Sequence, residues 1–134
     1  MKYHFIGVNG VGMSALAKVL SKQGHCVTGS DYSPTLNKEA FEEHGITVYK
    51  EHNKKHISND QTVVISSAIN ESNIEYRTAI ENKCEIIKRG DLLARLASEC
   101  EKCIAIAGTH GKTTTASLIL NIFDEAKLKP SYFI

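Results

Sequence analysis

The sequence carries almost no net charge. Its 134 residues hold 16 Lys and Arg against 15 Asp and Glu, a formal +1. The basic residues are spread along the chain and form no patch or stripe, which argues against a nucleic-acid partner. No apolar run approaches the roughly 20 residues of a membrane span, which argues against a membrane partner. The opening Met1-Lys2-Tyr3-His4-Phe5-Ile6 lacks the continuation of a signal peptide. Asn9 and several glycines interrupt it, Lys18 follows, and there is no small-residue cleavage site. A soluble, cytoplasmic chain is expected. Cysteine is scarce. Cys100 and Cys103 make a lone C-x-x-C with no second pair of ligands at zinc spacing, placed where a helix should end rather than begin. Cys26 and Cys84 lie beside apolar runs and are expected as small core residues. Internal repeats and low-complexity segments are absent as well.

What the chain does have is alternation. Apolar runs at residues 3–8, 25–30, 46–49, 62–66 and 85–88 read as five strands. Between them the spacing predicts helices over 13–23, from Pro34 to about His44 with Ser33 as cap, over 73–82, and one capped by Asp91. Met13, Leu16, Ala17 and Leu20 should form the core face of the first helix. Gly24 and Gly45 should stop the first two. Strands alternating with helices imply an α/β fold, a Rossmann-like doubly wound parallel sheet. Cys103-Ile104-Ala105-Ile106-Ala107 reads as a sixth strand, and 131–134 as the beginning of another. The chain length can bury a real core.

Two glycine-rich stretches carry the chemistry. The stronger is Gly108-Thr109-His110-Gly111-Lys112-Thr113-Thr114-Thr115, between the sixth apolar run and a helical pattern from about 112 to 126. Such a loop aims backbone N–H groups and the helix dipole at phosphate oxygens. Lys112 would reach the terminal phosphates of a nucleotide triphosphate, and the Thr113 hydroxyl would take a Mg²⁺ position. Gly108, Thr109, His110, Gly111 and Thr114 complete the cradle. The general P-loop pattern has a further Gly where this chain has Ile106, so the signature is short.

The second is Gly7-Val8-Asn9-Gly10-Val11-Gly12 at the end of strand one. Its first and last glycines fit a dinucleotide fingerprint, whose middle Gly is replaced by Asn9. Asp31 follows strand two at about the distance where an acidic group meets ribose hydroxyls. The turn therefore suits a nucleotide diphosphate and fits NAD imperfectly; a tight packing turn would use the same glycines.

These stretches resemble the Mur ligases, the enzymes that build the peptide stem of peptidoglycan. The loop from Ala107 to Thr115 is similar to their ATP loop, and Gly7 to Ala17 to their opening. Gly29-Ser30-Asp31, Val63 to Ile69, Asn73-Ile74-Glu75 and Arg89 follow in matching order, with Asn9 where the family usually has Gly. The resemblance implies a UDP-sugar domain over 1–100 and, over 101–134, the start of a P-loop ATP-binding domain. It implies UDP-N-acetylmuramate and L-alanine as substrates and ATP with Mg²⁺ as cofactors. Asn9, Gly10, Val11 and Gly12 would hold the diphosphate, Asp31 would face the uridine, Ser66, Ser67, Ala68 and Ile69 would line the sugar side, and Arg89 would add a charge. Lys112 would be catalytic, His110 would stand beside metal or phosphate, and His52 fits either a site role or a solvated loop. The whole enzyme would activate a carboxylate as an acyl phosphate and pass it to an amine. The chain alone is expected to be inactive and, through an uncovered helix over 112–126, to self-associate or lose order there. A tripeptide-recycling sister ligase, an NAD-binding module and a non-catalytic nucleotide binder are the alternatives.

Overall fold

A computed structural model describes residues 1–34 and 38–133 of the chain. The described residues divide into two compact units, Met1–Ala97 and Ser98 onward. The first contains five strands, β1 (Lys2–Ile6), β2 (Cys26–Ser30), β3 (Thr47–Tyr49), β4 (Thr62–Ile65) and β5 (Glu85–Lys88). With them run helices α1 (Val11–Lys22), α2 (Lys38–Glu43), α3 (Ile74–Glu81) and α4 (Arg89–Ser98), whose last residue falls in the second unit, and a short 3-10 turn, Lys54–His56. All strand pairs are parallel, in the order β3-β2-β1-β4-β5. This is the doubly wound α/β arrangement the alternation predicts.

The strands sort by position. β4 is buried throughout and β1 from Tyr3 onward, whereas edge strands β3 and β5 are half-exposed. That matches a parallel sheet covered on both faces, whose central strands must be apolar whichever way a side chain points. Because side chains alternate, β1 feeds two cores. Tyr3 and Phe5 join Met13, Leu16, Ala17 and Leu20 of α1, Phe41 of α2 and Leu92 of α4. Ile6 joins Val63, Ile65 and Ala79 of α3. The four-residue face predicted for α1 is the one that is buried. Gly24 (φ +85°) and Gly45 (φ +64°) end α1 and α2 in the left-handed conformation that suits glycine.

Several local expectations are corrected. Ser33 and Pro34 lie in irregular backbone, and the described helix begins at Lys38; the intervening part of the expected helix lies outside the described residues. Ser33 gives its N–H to the Asp31 side chain, and the positions that a Ser33 cap would bond lie outside the described residues. α4 begins at Arg89, so Asp91 sits in the first turn, where its charge complements the dipole without being the cap. Cys26 is exposed at the amino end of β2 and is not a core residue.

The second unit departs further. Cys103 to Ala107 forms no strand, and Ile104 is 59% exposed. A strand needs a neighbour to satisfy its backbone groups, and no described strand pairs with this run. Ser131 to Phe133 is likewise irregular, and Ile134 lies outside the described residues. Helix α5 (Lys112–Glu125) forms as predicted but has no buried residue.

Gly29 shows how tightly the first unit is packed. A Cβ there would meet Val8 Cγ2 at 2.8 Å and Cγ1 at 2.9 Å, whereas a Cβ on Gly90 in α4 would meet nothing within 4 Å. Gly29→Ala should therefore destabilise the protein by about 1–3 kcal/mol through overpacking. Gly90→Ala should stabilise it by about 0.5–1 kcal/mol by restricting the unfolded chain. Urea denaturation of both variants checks this pair, and equal midpoints would contradict it.

Candidate functional site

The parallel register brings the carboxyl ends of the strands to one edge. Ile6 pairs with both Ser30 and Ile65, and Ile65 pairs with Lys88. Hence the turn from Gly7, the segment from Asp31, the segment from Ser66 and Arg89 all leave the sheet side by side. The sequence-predicted substrate residues of the first unit come from these four exits.

At the first exit, Gly7 (φ +83°) turns the chain so that its N–H and that of Val8 both donate to the Ser30 carbonyl, at 2.8 and 3.1 Å. Gly10 is the N-cap of α1 and offers no side chain. The first intrahelical bond there is Ser14 N–H to Gly10 O, 2.8 Å. The N–H groups of Val11, Gly12 and Met13 consequently have no protein partner among the described residues. Arg89 lies directly over this end. Its Cδ and Cζ are 3.2 and 3.4 Å from where a Gly12 Cβ would stand. A side chain at position 12 would displace the guanidinium from this place. A helix amino terminus and the cation beside it are both positive, and their convergence suits an anion.

Asn9 and Asp31 meet at the next exit. The Asp31 carboxylate accepts the Asn9 N–H (3.0 Å) and the Ser33 N–H (2.8 Å), and Asn9 Nδ2 donates to the Ser33 carbonyl (2.7 Å). Asn9 thus clips the glycine turn to the segment after β2, a bond no glycine could make with a side chain. It stays out of the left-handed region, so the replacement costs no backbone strain. Beyond β4, Ser66 accepts the Ala68 N–H on its hydroxyl and the Ile69 N–H on its carbonyl. Ala68 and Ile69 line an open cavity of about 310 Å³ together with Tyr32, His52, Asn70 and Asn73; Ser67 does not line it.

Beneath that cavity lies a cluster the sequence reading did not assemble. Glu75, in the first turn of α3, is fully buried. Its Oε1 accepts from His56 Nδ1 (2.7 Å) and the Asn53 N–H (3.1 Å). Its Oε2 takes the Ser30 hydroxyl and His52 Nδ1 (3.0 Å). His4 Nε2 lies 3.4 Å from Oε2, within ion-pair range but off line for a hydrogen bond. Tyr49 stacks on His56 at 3.8 Å between centroids, and Tyr32 and His52 make a T-shaped contact at 4.5 Å. Burial alone pushes the Glu75 carboxyl up. The His4 ring, the Ser30 hydroxyl and His56 outweigh it and hold the carboxyl down at about 2. Strand alternation is the one sequence signal that could have found this: His4, Thr28 and Ser30 share the α3 face of the sheet.

In the second unit, Gly111 (φ +77°) is the N-cap of α5, and Thr115 N–H closes the first helical bond on its carbonyl at 2.9 Å. Lys112, Thr113 and Thr114 form the exposed first turn. Lys112 Nζ is turned back on its own loop, donating to the carbonyls of Gly108 (2.7 Å) and Thr109 (3.4 Å). Thr109 and His110 are exposed in the bend between them. The described residues include no group of three or more His, Cys, Asp or Glu that could hold a metal ion by itself.

A doubly wound parallel sheet with an anion-suited glycine turn at its carboxyl edge defines a Rossmann-like α/β protein. Residues 2–100 match the family described as Mur ligase family, catalytic domain. The chain belongs to the Mur ligase family. It is 45% identical over 129 residues, 96% of its length, to UDP-N-acetylmuramate--L-alanine ligase of Rickettsia bellii, and covers 27% of that protein. It is 43% identical to the bifunctional enzyme MurC/Ddl of Chlamydia pneumoniae, over 99% of this chain and 16% of that one. The crystal structure of UDP-N-acetylmuramate-alanine ligase MurC from Thermotoga maritima superposes with a TM-score of 0.87 at 28% identity, over all of this chain and 31% of that one. The chain therefore spans about a quarter of the length of the curated ligases it resembles in sequence.

Because the folded Glu75 carboxyl is held below its ordinary 4.5, its contribution is complete above about pH 4.5 and is lost as the pH falls toward about 2. The unfolding free energy should drop by about 2–3 kcal/mol more in the parent protein than in Glu75→Gln between about pH 6 and about pH 2.5. Denaturant titrations at the two pH values test this; parallel losses in both proteins would refute it.

Proposed function

We propose that the chain is the UDP-sugar-binding part, with the ATP loop attached, of a cytoplasmic, ATP-dependent ligase that joins L-alanine to UDP-N-acetylmuramate in peptidoglycan synthesis. The observation that carries this reading is Arg89 lying over Gly12 at the open amino end of α1. A diphosphate there would accept the free N–H groups of Val11 and Gly12 and neutralise the guanidinium, with Asn9 and Gly10 shaping the turn. Asp31, tied to Asn9 and Ser33, keeps lone pairs for ribose or base while holding the turn in place. Ser66, Ser67, Ala68 and Ile69 would flank the sugar side. Relatives named for the alanine-adding reaction support this substrate pair over that of the tripeptide-recycling sister ligase.

The division after Ala97 supports a boundary near residue 100, with the ATP loop beyond it. Gly108, Thr109, His110, Gly111 and Thr114 would surround the ATP phosphates. Lys112 would exchange its carbonyl partners for phosphate oxygens and offset charge on the transferring phosphoryl group. The Thr113 hydroxyl offers one oxygen to Mg²⁺, whose other ligands would be phosphates and water. Positioning and charge neutralisation are the protein's contribution to forming the acyl phosphate.

UDP-N-acetylmuramate should bind this chain more tightly than NAD, and Arg89→Ala should weaken it by about 1–3 kcal/mol. The same samples given ATP and L-alanine should release no phosphate above a Lys112→Ala control. Calorimetry showing tighter NAD binding, or dual-substrate phosphate release, would overturn the respective half of the reading.

Helix α5 also favours self-association, because Leu118 and Ile122 are 59% and 64% exposed on one helical face. Light scattering should show mass rising with concentration, and Leu118→Lys with Ile122→Lys should return the chain to a monomer. A parent protein monomeric at the highest concentration would contradict this.

A further inference from the structure

The buried cluster under the cavity fixes which nitrogen of His52 carries a proton. Ser30 Oγ directs its only hydrogen to Glu75 Oε2. His52 Nδ1 lies 3.0 Å from that same oxygen and 2.8 Å from Ser30 Oγ. Neither oxygen has a hydrogen left to give, so Nδ1 must be the donor. In the neutral ring Nε2 then carries a bare lone pair, and it makes no hydrogen bond among the described residues. The ring lines the cavity beside Tyr32, Ala68, Ile69 and Asn73. Its orientation is held twice more, by a T-shaped contact with Tyr32 and by near-complete burial, its side chain being 9% exposed.

We propose that Glu75 is a positioning residue for base selection: it fixes the His52 tautomer so that the cavity wall presents a nitrogen acceptor, which a pyrimidine with a ring N–H satisfies. This rests on the reading of the crevice as a uridine-nucleotide site. Uracil carries such an N–H at N3. Cytosine has a lone pair at the same position, which would face the lone pair of Nε2 and leave both unpaired. Asp31, the acidic residue that the glycine-turn pattern pairs with the nucleotide, is spent partly on the turn itself. Glu75 acts without touching the ligand, through the ring it holds.

The test uses UDP and CDP as probes on the full chain. Calorimetry should show UDP binding about tenfold or more tighter than CDP. Glu75→Gln places an amide that can donate to Nδ1, which moves the ring proton to Nε2. The UDP-to-CDP ratio should then fall to within about threefold. Long-range ¹⁵N–¹H spectra of histidine-labelled protein should show a protonated Nδ1 for His52 in the parent chain and a protonated Nε2 in Glu75→Gln. If Glu75→Gln does not fold, His52→Gln serves, because an amide offers both donor and acceptor and should erase the preference alike. A preference unchanged in these variants, or a parent His52 protonated on Nε2 at neutral pH, would overturn the proposal. Failure of the parent chain to bind UDP at all would sink the nucleotide reading and base selection together. The His52 tautomer remains measurable without ligand, so that failure is distinguishable from a wrong assignment of the proton.

Discussion

The pairing of β1 on both edges is the constraint on which the first unit depends. Its residues are matched in register to β2 and β4 at once, so the ends of all three strands are fixed relative to one another. A slip of one residue would turn Phe5 and Ile6 to the wrong cores and His4 away from Glu75. Register therefore serves packing and site together. The helices are attached to this frame through apolar faces, and the exits at Gly7, Asp31, Ser66 and Arg89 inherit its geometry.

Against that frame the glycine turn does two separate things. Gly7 supplies a positive φ, and Gly12 supplies empty space. The space is filled from a distance in sequence, by Arg89 at the start of α4. A cation held against a positive helix end is unfavourable by itself and becomes favourable when an anion lies between them. The site thus stores a charge imbalance that a diphosphate would relieve. Asn9 adds a clip to Ser33, so the turn is braced from the side as well as from the Ser30 carbonyl below.

The two faces of the sheet are chemically unlike. The face under α1, α2 and α4 is an ordinary hydrocarbon core. The α3 face has apolar packing at Ile6, Val63, Ile65 and Ala79, and beside it a fully buried carboxylate among three histidines. An isolated buried charge is costly, so Glu75 is tolerable only because donors from β2 and the segment before β4 converge on it, with the His4 ring of β1 within ion-pair range. That convergence ties the 50–56 segment, which has little hydrocarbon of its own, to the sheet.

Much of this was legible in the chain order of residues. Strand runs, the α1 face, the stops at Gly24 and Gly45, and the two glycine stretches depend on neighbours a few positions apart, and such local preferences are written in the sequence. Cys103 to Ala107 forms no sixth strand because it has the composition of one but no described neighbour to pair with. Composition is local and pairing is not. Tertiary structure alone decided that Arg89 fills the space at Gly12, that Asp31 is bound to Asn9, and that His4, His52, His56 and Ser30 surround Glu75. Those partners lie 19 to 71 residues from Glu75 in the case of His56 and His4. No periodicity spans such separations; only the parallel register, closing loops of that length, brings the groups within reach.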